Sequence, residues 1–348
     1  MNIRVLSVIL FFLFFAARVY AAGDRNLIIQ KELDCVSQQK NLGLTWTDVC
    51  SMPDPAPTGN IGTDGPPSNG FPAGRVHTFS LAGLVNYYHY AEPEKVKKYT
   101  GVWLGEEGKY IFRPPQGNIL NNPLVNFYSL EGTYASGRSD KEGNVVRTFS
   151  DNSISKVIQK DIPSYMFELR ALLGKDFTPW SFLRITPYLG GGVRYKADES
   201  AGHYNQLADG TPIVGYDRSE LSYYILTGLT FDVMANNDYE ISLNAEYDFL
   251  IKGYQRDRFS DADQFTVPLF SVNSNKALFA QDHGFGAKFS LKFLRHFSMV
   301  DVFIEPFVDY WHINASKGTL IYETGNFSTS TSNKNSTVEI GTKFGIEF

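Results

Sequence analysis

Cysteine is nearly absent: only Cys35 and Cys50 occur in 348 residues. No His lies in their segment to complete a metal site, and in an exported chain an even pair reads as a disulfide. It would close a loop worth roughly 3 kcal/mol. Long apolar runs are also lacking. After residue 21 no stretch of about 18 apolar residues occurs, which excludes a membrane-crossing helix. Nor is there a basic excess, with 32 Lys and Arg against 37 Asp and Glu and a net charge of -5. Loss of the leader described below removes Arg4 and Arg18 and takes the charge to about -7, the wrong sign for a nucleic-acid partner. Phosphate loops are missing too, because Gly190-Gly191-Gly192 is followed by neither Lys-Ser nor Lys-Thr nor a helix. Glycine within a strand marks a bulge or a crowded inner wall instead. The sequence calls for no cofactor and no metal.

What is present begins with a leader. MNIR, the apolar run Val5 to Ala17, and RVYAAG have the form of a secretory signal peptide cut after Ala21, giving residues 1–21. Residues 22–51 have helical spacing at Leu27, Ile28, Leu33 and Val36, and form a small helical segment stapled by Cys35 and Cys50. Residues 52–75, rich in Pro, Gly, Ser and Asp, read as a linker.

From Val76 onward the period is two. In YEISLNAEYDFLIKG, Tyr239, Ile241, Leu243, Ala245, Tyr247, Phe249 and Ile251 share one face. Glu240, Ser242, Asn244, Glu246, Asp248 and Lys252 share the other. LSYYILTGLTFDV, from Leu221 to Val233, behaves likewise, and the two form a hairpin. Further strands are expected near 79–90, 101–113, 122–136, 162–173, 182–196, 283–294, 299–312 and 336–348. The strand at 101–113 is the weakest, because Glu106 breaks its pattern. Short connections alternate with long ones, near 137–161, 197–218, 255–282 and 314–335. Ten strands, short turns at one end, and 27 Phe and 20 Tyr point to an all-β fold. It is a ten-stranded antiparallel transmembrane β-barrel over 76–348, with the small N-terminal helical, disulfide-stapled segment before it. A soluble sandwich or lipocalin-like barrel would put the apolar face inward. The length of the apolar rows, and aromatics near strand ends in NYYHY and DYWH, favour the membrane.

The final strand, STVEIGTKFGIEF, alternates up to its last residue. Closure against the first strand would hold it, with Phe344, Ile346 and Phe348 facing lipid. It resembles the C-terminal signal by which barrel-assembly machinery recognises its clients. YYHYAEPE, FELRALLG, ITPYLGGGVRY, AEYDFLIKG and IEPFVDYWHI recur in order and resemble a broad family of uncharacterised Gram-negative outer-membrane barrels over residues 79–348. That resemblance implies the bacterial outer membrane and its lipid as surroundings, and no established activity. Barrel size is similar to that of the omptin proteases, without an omptin motif.

If the apolar rows face lipid, the lumen receives Glu168, Arg170, Arg184, Arg194, Glu246, Asp248, Lys288, Lys292, Asp301, Glu305, Asp309, Glu339 and Lys343. A tight turn near 295–298 would set Lys292 opposite Asp301 and Lys288 opposite Glu305. A turn near 174–181 would set Arg170 opposite Arg184, with Glu168 or Glu246 between them. Such charges form a salt-bridge plug or line a narrow path for a small solute, and these are the leading readings. A rim hydrolase would need an acid pair and a His–acid pair in reach of one water; Asp309 and His312 lie near the outer end of one strand, Asp282 and His283 at another rim, and His89 at a third. Asp309 and His312 have opposite parity. Surface binding through the long loops, as in an adhesin, is the further alternative. Asn314, Asn326 and Asn335 begin N-glycosylation triplets that read as loop composition.

Overall fold

The computed structural model describes residues 75–348, apart from 94–96, 116–117, 119, 121, 147–153, 202–203, 207–211, 237, 259–276 and 324–325. The leader, the Cys35–Cys50 segment and all but the last residue of the linker lie outside the described residues. Alternation of apolar and polar residues leaves each segment two unlike faces. An extended chain satisfies both when one face meets hydrocarbon and the other is enclosed. Ten strands do this: β1 (His77–Ala91), β2 (Lys97–Phe112), β3 (Phe127–Val146), β4 (Ile154–Gly174), β5 (Leu183–Asp198), β6 (Asp217–Asn236), β7 (Tyr239–Arg258), β8 (Gly284–Arg295), β9 (Asp301–Ile313) and β10 (Asn335–Glu347).

Each strand pairs antiparallel with its sequence neighbours, and β10 pairs with β1 from Ser80 opposite Glu347 to Ala91 opposite Ser336. Phe348 seals the joint, exchanging backbone hydrogen bonds of 2.9 and 3.0 Å with Phe79. The barrel therefore has no free edge. Apolar side chains cover its outside, where Ile340 is 53% and Phe344 55% exposed, while Glu339, next to Ile340 and turned the other way, is 3% exposed. Aromatics ring both ends of the apolar belt. Phe79, Tyr110, Phe112, Tyr128 and Phe348 form ring contacts at the turn end, and Tyr247, Phe249, Phe285 and Tyr310 do so toward the loop end. An even-stranded closed barrel with an apolar belt, aromatic girdles and a polar interior is an outer-membrane protein. Glu106, on β2, is exposed on the outer face, so the break in pattern it causes is real and the strand forms around it.

Two bulges reset the side-chain alternation. Between β6 and β7 the register shifts at Ile251, so Lys252 turns outward and pairs with Asp282. The plain period of two had placed Lys252 on the inner face. On β4, Asp161 takes φ of 57°, its N–H donates to Asp140 Oδ1 at 3.1 Å, and the pairing with β3 shifts beside it. An extra residue flips every side chain beyond it. Gln159 is consequently buried and Ile158 exposed. The loop expected over 137–161 is largely strand, because β3 and β4 run on beyond the belt.

Candidate functional site: the charged lumen

Ten parallel rows of inward side chains converge on the barrel axis. Glu168, Arg170, Arg184, Glu246, Asp248, Lys288, Lys292, Asp301, Glu305 and Asp309 all stand on the inner wall, as do Arg194, Glu339 and Lys343. Their partners differ from those expected across single turns. Lys288 faces Asp309, and Arg295 faces Val302. The β8–β9 turn is thus longer than a tight one, and the register is displaced by four residues from the expected Lys288–Glu305 and Lys292–Asp301 pairs. At the other turn, a short strand, Phe177–Trp180, folds against the start of β5. Arg170 consequently faces Gly192, and Glu168 faces Arg194, in place of the expected Arg170–Arg184 pair. Both displacements are even, so every side chain keeps its face.

The charges form layers. At the turn end Arg184 lies 2.7 Å from Asp232 and 3.6 Å from Glu240. Arg113 lies 2.8 Å from Asp176, and Lys292 contacts Glu347. Asp301 sits between Arg75 and His296, each at 3.1 Å. Midway, Arg170 bridges Glu131 and Glu246, each at 2.5 Å, and Lys109 joins Glu131 at 2.9 Å. In the same region Lys343 reaches Glu107 at 3.0 Å and Glu305 at 3.4 Å. Lys288 lies 3.4 Å from Glu168 and 3.7 Å from Asp309, and Arg194 contacts Glu339. Buried charges stand only where opposite charges and hydrogen bonds replace water. Here Arg170, Arg184, Arg194, Lys288 and Lys343 each have two acidic neighbours.

Two tyrosines complete the middle layers. The Tyr224 ring lies against Gly192 and the Tyr188 ring against Gly228, where any Cβ would collide with the ring. Seated flat on glycine, the rings extend their hydroxyls along the wall. Tyr224 donates to Glu168 at 2.7 Å, and Tyr188 OH lies 2.9 Å from Glu246 and 2.8 Å from Asn244. Neither tyrosine, nor Glu131, Lys109, Asp232 or Glu107, stood out in the sequence. Alternation marks them as inward, but nothing local marks them as partners.

Between the turn-end layer and Arg170 lies a cavity of about 430 Å³. Ile111, Phe127 and Leu172 line one side, and Leu294 and Phe307 another, so the space is charged and partly apolar. The loop-end half is filled. Tyr88 stacks on Trp103 at 4.4 Å, Tyr90 meets Tyr99 edge-on at 4.9 Å, and the Lys196 ammonium lies 4.6 Å from the Tyr88 ring centre. Above them Arg218 holds Asp257 at 3.1 Å, Ser332 donates to Gln255 at 2.7 Å, and Asn333 donates to Glu92 at 3.0 Å.

The hydrolase constellation does not assemble. β9 runs without a bulge, so Asp309 points inward while His312 points outward to Ser336 at 2.9 Å. Asp282 is engaged by Lys252 and Lys317. No cluster of three or more metal-ligating side chains occurs among the described residues.

No family model and no curated protein matches the sequence. Solved structures do show likeness in shape. The TodX deltaS2S3 mutant monoaromatic hydrocarbon channel matches with a TM-score of 0.28 and 9% identity, over 79% of this chain and 91% of that one. The beta domain of the Bordetella autotransporter BrkA matches at 0.32 and 10%, over 77% and 98%. The transport unit of the autotransporter AIDA-I from Escherichia coli matches at 0.31 and 8%, over 78% and 91%. Likeness at this level transfers neither substrate nor activity.

Proposed function

We propose that the protein is an outer-membrane barrel giving small charged or polar solutes a narrow path, closed in the conformation described. Its turn end faces the periplasm, as short turns do in such barrels. Solute would enter the turn-end cavity and pass only when the Arg170 layer parts. The observation that carries this reading is the cavity of about 430 Å³ ending on Arg170, Glu168 and Lys288. A ten-strand wall packed solely for stability has no need of that space. A purely structural barrel is the second reading, favoured by the close ion pairing of the lumen. The outward row Phe344, Ile346 and Phe348 would be offered to barrel-assembly machinery before β10 closes on β1. Conductance in planar bilayers tests the proposal. The wild type should give small, rare openings, and Arg170→Ala should make them larger and longer. Silence from both would leave the structural reading.

A further inference from the structure

A carboxylate stands in the hydrocarbon belt. Glu106, on the outer face of β2, forms no hydrogen bond or ion pair with any described residue. Register fixes its level. Glu106 pairs with Gly83, and Gly83 pairs with Phe344, one of the exposed apolar side chains of the belt. Toward the loops the same outward row continues through Leu104 and Val102, both exposed. Toward the turns the girdle residue Tyr110 is four residues away, roughly 13 Å along the strand. A carboxylate facing acyl chains loses its water without a substitute, so ionisable groups at membrane depth stand against protein partners.

The surface around Glu106 is flat. Gly83, Gly108 and Gly132 face outward beside it, and a Cβ at any of them would meet nothing closer than 3.9 Å. The barrel's own packing therefore does not need glycine there, whereas a second backbone approaching from outside does. Across β2 and β3, Glu106 pairs with Tyr134 and Gly108 with Gly132. Tyr134 also faces outward, and its hydroxyl forms no hydrogen bond among the described residues. An acceptor and a donor thus stand side by side, next to two glycines, and such a patch complements itself. A two-fold axis along the membrane normal, passing between β2 and β3, sets Glu106 of each copy against Tyr134 of the other and brings Gly108 toward Gly132 of the second copy. We propose that the protein dimerises in the membrane through the outer face of β2 and β3, with Glu106 accepting a hydrogen bond from Tyr134 of a second copy.

The test is single-molecule photobleaching of the full-length barrel, with one fluorophore per chain, in lipid vesicles at decreasing protein density. The wild type should bleach in two steps and dissociate on dilution. Glu106→Leu should raise the dimer dissociation constant about tenfold, because two symmetry-related hydrogen bonds are lost. Gly108→Leu combined with Gly132→Leu should abolish the dimer, because the added side chains hold the two surfaces apart. All three positions face outward in a single barrel, and unchanged mobility of the folded band on unheated gels confirms that it is intact. Wild-type barrels that stay monomeric at every density would overturn the proposal, and a more urea-resistant Glu106→Leu barrel would then show that lipid covers the patch. A folded glycine double variant that dimerises like the wild type would also overturn it, by placing the contact on another face.

Discussion

The two halves of the lumen are made by the same ten strands and filled by different means. Toward the turns, ion pairs such as Arg184–Asp232 and Arg113–Asp176 line the wall and leave an open cavity. Toward the loops, stacked rings close the bore and Lys196 lies over them. Charges hold a wall apart because each needs its own hydrogen bonds, whereas rings fill volume. The boundary is the layer where Arg170 ties β4 to β3 and, across the barrel, to β7. Closure of the bore is therefore concentrated in one layer and in the packed half above it.

Breaking that boundary should have the largest effect. Arg170→Met takes the cation from Glu246 and leaves Glu131 with Lys109 alone, and should cost about 3–5 kcal/mol, read as a lower urea midpoint for the barrel in lipid vesicles. Trp103→Ala attacks the packed half. Trp103 is fully buried and donates to Ser139 at 3.1 Å, so its loss should cost about 3–4 kcal/mol and leave the cavity below unchanged in size. A much smaller effect is expected outside both halves. Hydrogen bonding to Lys252, and then to Lys317, holds the Asp282 carboxyl down at about 2. Its contribution is present above the ordinary carboxylate value of about 4 and is lost as pH falls through about 2. The pair is exposed and screened by solvent. Asp282→Asn should therefore be slightly less stable than the wild type above about pH 4, and the difference should vanish as pH falls toward about 2. A large stability difference at neutral pH would mean that the rim cluster braces the barrel.

Much of the architecture was readable before any coordinates. Alternation in 239–253 and 336–348 gives strands with one oily and one polar face, and the closed ten-strand barrel agrees with that reading. Registers were harder to see, because a turn that includes its own short strand, Phe177–Trp180, resembles a plain loop in sequence. Bulges at Ile251 and Asp161 left no mark either, since neither position carries glycine. The lumen partners were least accessible. Arg170 and Glu246 lie on strands that are not neighbours, and their meeting depends on barrel diameter and stagger, which are set by all ten strands together. Local spacing contains no such information. The seats of Tyr188 and Tyr224 on Gly228 and Gly192 have the same origin, because ring and glycine come from different strands.

The division of the lumen is tested most directly by two near-isosteric cysteines in a chain whose Cys35 and Cys50 are replaced by serine. Ser242 lines the turn-end cavity, and Ser222 is buried on the loop-end part of β6. In the reconstituted barrel, Ser242→Cys should react quickly with a small charged maleimide while Ser222→Cys stays protected. Equal labelling at both positions would contradict a lumen open below Arg170 and closed above it.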